Sequence, residues 1–507
     1  MAVNFFKKHF FSAGWLNTWR PYFLFLIIGF LLYGQTLFFN YTYLDDQTLI
    51  IDNAPILSEF KNIGELFTND VFLSSPKFYY RPLLNVSLML DFSVAGTSAV
   101  IFHLTNILLH IIVVALIFLL FTRFNYRRVL AFWLALFFLF QPVLVQAVAW
   151  IPGRNDSLLT IFVLAAFICF LDFIKRPRLG TYLAYALFFL AALLTKENAV
   201  FLPIIIIFYS FFIAKEKILK SDKWLLILIS GVMVFVWFLM RNFALGGATL
   251  TIFTALNSIY KNSPALLVFL GKSIFPFNLS VMPVLADAKI IYGLIAVPII
   301  IIALYFSRQK RYSYIIFGVA WFLLFILPSF IRPSLTDIPD FLEHRLYLPL
   351  IGLLIIFAEI DWLKNINFKK RSVQTGILII FSIFTFLVLS HSLNFKNRFS
   401  FWLAAANDSP HSPLAQRNLG VMYYFNGDNI NAEKYYLKAV AINPFEPMAH
   451  NNLGVIYMNQ KKYKEAAAEF NKELEVNPGY DKALSNLEDL KNLIDQGTLH
   501  NSQKSLR

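Results

Sequence analysis

Between Tyr22 and Phe39 the chain carries no charged residue. A run of that length is what a helix needs to cross the roughly 30 Å hydrocarbon core of a bilayer. Comparable runs recur as far as residue 391. In lipid every backbone N–H and C=O must be bonded within the segment, so runs of this kind restrict the chain to a helical membrane bundle. Composition agrees, with 58% hydrophobic and only 15% charged residues, against about 25% charged in an average soluble domain. Hydropathy places eleven spans, near 21–39, 100–121, 129–147, 158–174, 180–195, 199–214, 223–240, 290–306, 313–330, 345–360 and 373–391. The first has no small-residue cleavage site and reads as a retained anchor.

The net charge of +14 does not describe a nucleic-acid footprint. The cations gather in short loops: Arg123, Arg127 and Arg128; Lys175, Arg176 and Arg178; Lys215, Lys217, Lys220 and Lys223; Arg308, Lys310 and Arg311; Lys364, Lys369, Lys370 and Arg371. With Lys7, Lys8 and Arg20 they fall on one side of the predicted spans, which the positive-inside rule makes cytoplasmic. Leu266 to Phe277 is apolar but short, and Lys272 interrupts it; counting it as a span would put later basic loops outside. It reads as a re-entrant or interfacial helix on the outer face. Cys169 is the single cysteine, so no intrachain disulfide forms.

The opposite loops hold a different inventory. Asp45, Asp46, Asn53, Tyr80 and Arg81 lie in the first, near 40–99. Arg154 and Asp156 follow, then Lys196 and Glu197, then Arg241, then Glu343, Arg345 and Tyr347. Ionisable groups are costly at a bilayer and mark substrate pathways.

From about residue 392 the composition turns to soluble helix. Leu419-Gly420-x-x-Tyr423 recurs 34 residues later as Leu453-Gly454-x-x-Tyr457, Ala432 recurs as Ala466, and Asn443-Pro444 as Asn477-Pro478. That period is the tetratricopeptide (TPR) spacing. The expected units are a half-repeat at 394–410 with Trp402, repeats at 413–446 and 447–480, a closing helix at 481–494 with Leu487 in register, and an unstructured tail at 496–507. Stacked repeats leave a concave side free to bind a partner.

Taken in order, the motifs carry a resemblance. They are Leu44-Asp45-Asp46 with Ile50-Ile51-x-Asn53, Tyr80-Arg81-Pro82-Leu83, His103-x-x-Asn106-x-x-Leu109-His110, Pro142 with Gly153-Arg154-x-Asp156, Lys196-Glu197, and Glu343-x-Arg345-x-Tyr347-x-Pro349, followed by the repeats. The set resembles the transmembrane and TPR-containing O-mannosyltransferases and their prokaryotic relatives, of the C-type glycosyltransferase fold. The resemblance implies an all-α, plasma-membrane enzyme that transfers a sugar such as mannose, with inversion, from a polyprenyl phosphate to an acceptor on the outer face. The partners it implies are the bilayer, the lipid-linked donor and a protein or peptide acceptor brought in by the repeats. Nucleic acid is not among them.

The chemistry fits that inventory. A hydroxyl must lose its proton as it attacks, which needs a positioned carboxylate, and a departing phosphate gains charge, which needs cations. By the resemblance one acid of the Asp45/Asp46 pair is the base, Asp45 being favoured, with Asp46 then orienting the acceptor or its neighbours; the alternative is a capped turn. Arg81, Lys196 and Arg345 are the candidate phosphate ligands, since Arg matches phosphate with a planar fork. Arg81 reads equally as an anchor before Pro82, Lys196 as a snorkelling lysine, and Arg345 as a partner for Glu343. Arg154 and Asp156 read as a pair closing a turn. His103, Asn106 and His110 share one helical stripe, forming a polar wall or interhelical hydrogen bonds. Tyr80, Glu197, Glu343 and Tyr347 are supporting candidates. Protein O-mannosyltransferases are metal-independent by resemblance, yet two adjacent acids also suit a divalent cation. A lipid or glycan acceptor, a transporter, or a membrane-anchored scaffold without catalysis are the rival readings; a scaffold has no need of the outer-face acids, and a transporter should show internal repeats that are not found. Gln141 stands where many relatives have His before Pro142.

Overall fold

The computed structural model describes residues 14–74, 77–214, 220–247, 251–331, 339–368 and 370–504. Helices and their connections make up the described chain, which separates into two compact units. One comprises Met1–Leu279 with Ala288–Asn397, the other Ser280–Asp287 with Arg398–Arg507.

In the first unit seven helices are long and apolar enough to cross a membrane: Arg20–Phe38, Ala99–Arg123, Ile151–Lys175, Glu197–Ala214, Trp224–Leu245, Tyr312–Phe330 and Arg371–Phe395. Arg128–Leu139 and Pro142–Ala149 make an eighth if taken together, bent by 53°. The bend falls at Pro142, which has no N–H to continue the ladder. Among the described residues the count is therefore seven or eight, against the eleven expected. The segments expected at 180–195 and 290–306 form shorter apolar helices, Leu179–Thr195 and Ile291–Tyr305. The one expected at 345–360 contains only an eight-residue helix, Leu350–Phe357, with Leu350 to Ile356 buried. Hydropathy cannot separate such a protein-buried helix from a lipid-facing one. Pro82–Ala95 is a further apolar helix, lying within the stretch expected as the first outer loop.

Glycines set the close approaches. A Cβ on Gly318 would lie 2.6 Å from the Gly352 carbonyl oxygen, and one on Gly352 would meet the Gly318 oxygen and the Phe322 amide. Backbone contact of this kind is how helices associate where lipid removes the hydrophobic drive. Trp321 Nε1 donates to the Leu348 carbonyl at 3.0 Å across the same contact.

The basic loops meet at one end of the bundle. Arg128 bonds the Leu16 carbonyl at 3.0 Å, and Arg127 the Lys364 carbonyl at 2.9 Å. Buried Glu359 takes Arg311 at 2.7 Å and Lys364 at 2.6 Å, with the Tyr126 hydroxyl beside them. Lys7, Lys8, residues 215–219 and Lys369 lie outside the described residues.

The first loop is folded. Helical turns at Gln47–Asp52, Ala54–Leu57 and Ile63–Thr68 close Leu49, Ile50, Leu57 and Leu66 against Leu84, Leu88 and Phe102. Buried Asp70 accepts from the Phe72, Phe78 and Tyr79 amides at 2.7–2.8 Å. A carboxylate is a sound ligand for three loop N–H groups that lack a ladder.

The second unit is a stack of helix pairs: Pro413–Phe425 with Asn429–Ile442, then Ala449–Asn459 with Tyr463–Val476, preceded by Arg398–Asp408 and closed by Asp481–Lys504. Gly420 and Gly454 let the second helix of each pair close in, since a Cβ would come within 2.6 Å of Tyr436 and 2.5 Å of Phe470. Tyr457 bridges the two apolar clusters. Each second helix stops before its Asn-Pro. The closing helix, expected to end near 494, continues to Lys504.

Candidate active site

The turn at Tyr41–Asp46 is built on strained backbone. Tyr43 has φ +59°, a left-handed conformation that costs a non-glycine residue about 1–3 kcal/mol. The turn aims successive amides at one carboxylate. Asp46 Oδ2 accepts from the Thr42 amide at 2.7 Å and the Thr42 hydroxyl at 3.0 Å, and the Tyr43 and Leu44 amides act on the same group. Burial pushes the Asp46 carboxyl up while these donors pull it down. Asp46 is 1% exposed and opens the Gln47–Asp52 helical turn.

Asp45 lines a cavity of about 560 Å³ with Arg81, Asn155, Asp156, Lys196, Glu197, His344 and Arg345. Burial first, then the charges of Asp46 and Asp340, push its pKa up to about 7, against the pull of Arg81 and Arg345. The adjacent acids thus differ: Asp46 is engaged by the backbone of its own turn and Asp45 borders the cavity.

Three ion pairs ring the same space. Arg81, the residue before Pro82–Ala95, meets Glu197 at 3.1 Å and lies over the Tyr79 ring at 4.5 Å. Lys196 donates to both Asp156 oxygens at 2.8 Å each, with His344 Nε2 at 3.8 Å. Arg345 meets the Asp340 carboxylate at 2.8 Å and donates to the Asp340 carbonyl at 2.8 Å. The three expected phosphate cations are brought together with Asp45, though each already has a carboxylate.

Other expected residues stand behind the cavity wall. Arg154 does not pair with Asp156; it meets Asp91 at 2.5 Å and donates to Asn106 Oδ1 at 2.9 Å and the Phe102 carbonyl at 2.7 Å. Both leave Gly153 along one helix, but side chains two residues apart do not face each other. Asn106 donates to the Val148, Trp150 and Ile151 carbonyls, closing the irregular turn where the bent helix ends. His110 Nδ1 is 2.5 Å from the Tyr347 hydroxyl. His103 is buried, and its ring meets Phe39 edge-on at 6.2 Å. The stripe of three is therefore interhelical packing, and not one wall. The Tyr80 hydroxyl donates to the Phe67 carbonyl at 3.0 Å, and Asn53 Nδ2 to the Phe72 carbonyl at 3.2 Å.

Glu343 does not pair with Arg345. It is fully buried against Lys272 at 2.6 Å, with His391 at 3.3 Å. Burial would raise its carboxyl, but Lys272 and His391 outweigh that and hold it below the usual range. Lys272 lies in Ala265–Ile274, so the lysine that interrupts this short apolar helix is an internal ion-pair partner. Gln141 donates to the Ser273 carbonyl of the same helix at 2.8 Å. The sequence gives no hint of Asp91, Lys77 or His344 as site or support residues, and it points to Lys272 and Arg241 without assigning them a partner or role. A lysine or arginine within an apolar segment was the available signal for two of them. Arg241, read as loop, belongs to the Lys220–Leu245 helix.

The model of the dolichyl-phosphate-mannose-protein mannosyltransferase family matches residues 81–240. Tetratricopeptide repeat models match 418–446 and 447–480. Protein O-mannosyl-transferase F38B6.6 of Caenorhabditis elegans is 25% identical over 419 residues, covering 77% of this chain and 58% of that protein. Protein O-mannosyl-transferase TMTC2 of Mus musculus is 32% identical over 154 residues, 28% of this chain and 18% of that protein. Tmtc1 of Drosophila melanogaster is 27% identical over 179 residues, 34% of this chain and 20% of its own length. The chain thus spans less than two thirds of each of these relatives.

Proposed function

We propose, on the premise that this chain is a relative of the transmembrane and TPR-containing O-mannosyltransferases, that it is a multi-pass membrane glycosyltransferase. It moves a sugar, mannose by analogy, from a polyprenyl phosphate to a protein hydroxyl. The observation that carries the reading is Asp45 at the edge of a cavity ringed by cations.

In the reaction, Asp45 accepts the proton of the acceptor hydroxyl as its oxygen bonds to the anomeric carbon from the face opposite the phosphate. The carbon–oxygen bond to the phosphate breaks, and the lipid phosphate leaves with the electron pair and added negative charge. A carboxylate with a pKa near 7 is a stronger base than an ordinary aspartate and is about half ionised at neutral pH, more so above it. Asp46 keeps the Tyr43 turn in shape and so sets where Asp45 sits. The cations bordering the cavity would stabilise the negative charge that grows on the departing phosphate. By the positive-inside rule the end carrying Glu359 and its basic partners faces the cytoplasm, and the Asp45 cavity faces outward. The tetratricopeptide unit presents the acceptor.

The test is sugar transfer by the purified, lipid-reconstituted chain. Asp45→Asn is expected to lower turnover by about 10²- to 10⁴-fold, the usual worth of a general base, without loss of donor binding. Asp46→Asn is expected to lower thermal stability as well as turnover. Unchanged turnover in both variants would remove the mechanism.

A further inference from the structure

Among the described residues five cations line the Asp45 cavity: Lys77, Arg81, Lys196, Arg241 and Arg345. Three are neutralised by a carboxylate, Arg81 by Glu197, Lys196 by Asp156 and Arg345 by Asp340. The other two have no carboxylate partner among the described residues. Lys77 Nζ rests on two neutral acceptors, Asn69 Oδ1 at 3.2 Å and the Ala244 carbonyl at 3.1 Å. Arg241 is half-buried on the cavity wall, one turn before Ala244 in the same helix. Among the described residues, the lining cations that no carboxylate neutralises thus sit on one rim, at the end of Lys220–Leu245.

That helix also lines a second cavity, of about 340 Å³, between itself and Glu197–Ala214. Its walls include Val200, Ile207, Ile227, Gly231 and Val234. Ile227, Val234 and Arg241 stand seven residues apart, on one face of the helix. The partner helix likewise contributes Asn198 to the first cavity and Val200 to the second. An apolar slot therefore leads along one helix face to two uncompensated cations. That is the shape and charge of an amphiphile with an anionic head and an aliphatic tail.

We infer that Arg241 and Lys77 hold the phosphate of the lipid-linked donor and that the slot takes the start of its tail. The inference rests on the glycosyltransferase reading of the Asp45 cavity. Arg81, Lys196 and Arg345 would each have to share or surrender a carboxylate to take a phosphate, and for the buried Lys196–Asp156 pair stripping one partner is costly. Arg241 gives up no carboxylate, and its planar fork fits two phosphate oxygens. The paired cations then fix the cavity walls and its potential.

The experiment titrates the purified full-length chain, in detergent, with a polyprenyl phosphate, the matching polyprenol and inorganic phosphate. Wild-type chain is expected to bind the polyprenyl phosphate at least about tenfold more tightly than either of the others, the worth of a charge-assisted contact. Arg241→Ala, Arg241→Gln and Lys77→Ala are each expected to lose about tenfold in affinity for the polyprenyl phosphate and little for the polyprenol. Gly231→Leu fills the slot, since no atom lies within 4 Å of an added Cβ there, and it is expected to weaken both lipids. If the Arg241 and Lys77 variants bind the polyprenyl phosphate like wild type while Arg81→Ala does not, the phosphate belongs to the paired cations and this inference fails with the enzyme reading intact. Equal affinity of the wild type for inorganic phosphate would remove the lipid from the site. No uptake of the polyprenyl phosphate by the wild type would overturn both readings.

Discussion

Lys196 donates to both carboxylate oxygens of Asp156 at 2.8 Å, across a separation of 40 residues, with both side chains nearly closed to solvent. A buried pair of this kind is weak evidence for stability as a whole, but removing one member strands a charge. Asp156→Asn and Lys196→Met are each expected to cost about 3–5 kcal/mol, and the double variant less than the sum. Thermal unfolding of the four chains in one detergent measures the coupling; additive losses would show that the pair does not interact.

The pH dependence of turnover follows from Asp45. Its pKa near 7 comes from burial and from the charges of Asp46 and Asp340. The base acts when ionised, so turnover should rise with pH through about 7 and level off above. Asp340→Asn removes a negative charge and also frees Arg345, and both changes favour the ionised form. The inflection should therefore move to lower pH. For folding the sign is opposite to that of a salt-bridged acid. A carboxyl raised in the folded state favours folding while protonated, and that contribution fades as pH climbs through the range between its ordinary value and about 7.

The Gly318–Gly352 contact should tolerate nothing larger. Gly352→Leu would push side-chain carbon into the Phe322 backbone and the Gly318 carbonyl, and neither is free to move. The chain is expected to lose several degrees of Tm or to fail to fold, whereas Gly376→Leu, with open space at its Cβ, should leave Tm unchanged. Equal behaviour of the two would deny the contact a role in packing.

In the repeats, Glu473 is fully buried and accepts from the Met448 amide at 2.8 Å and the Asn451 amide at 3.2 Å. It caps the start of the Ala449–Asn459 helix from the neighbouring helix. Glu473→Leu should leave those amides unpaired, at a cost of about 1–3 kcal/mol. Amide hydrogen exchange at residues 448–452 should speed up before that of the first-unit helices does. Unchanged protection there would mean that other groups cap the helix.

Much of this was legible because it rests on local pattern. Apolar runs from Tyr22 onward announced a membrane bundle, and the 34-residue recurrence of Leu419-Gly420 and Leu453-Gly454 announced the helix pairs, since both are set by what each segment must bury. The grouping of Asp45 with Arg81, Lys196 and Arg345 was also within reach, since charge can concentrate at few places on a chain this apolar.

Sequence could not divide roles within that group, because roles depend on partners far along the chain. Asp45 and Asp46 are chemically identical and adjacent; only the left-handed turn at Tyr43 separates a carboxylate wrapped by amides from one bordering a cavity. Glu343 lies two residues from Arg345 and yet pairs with Lys272, while Arg154 passes over Asp156 for Asp91. Burial makes each ion take the partner that geometry brings within reach, and that geometry is a property of the packed bundle. The same holds for Leu350–Phe357, which reads as a span by hydropathy and proves to be eight residues enclosed by other helices. Lipid and protein interior are both apolar, so composition alone does not tell them apart.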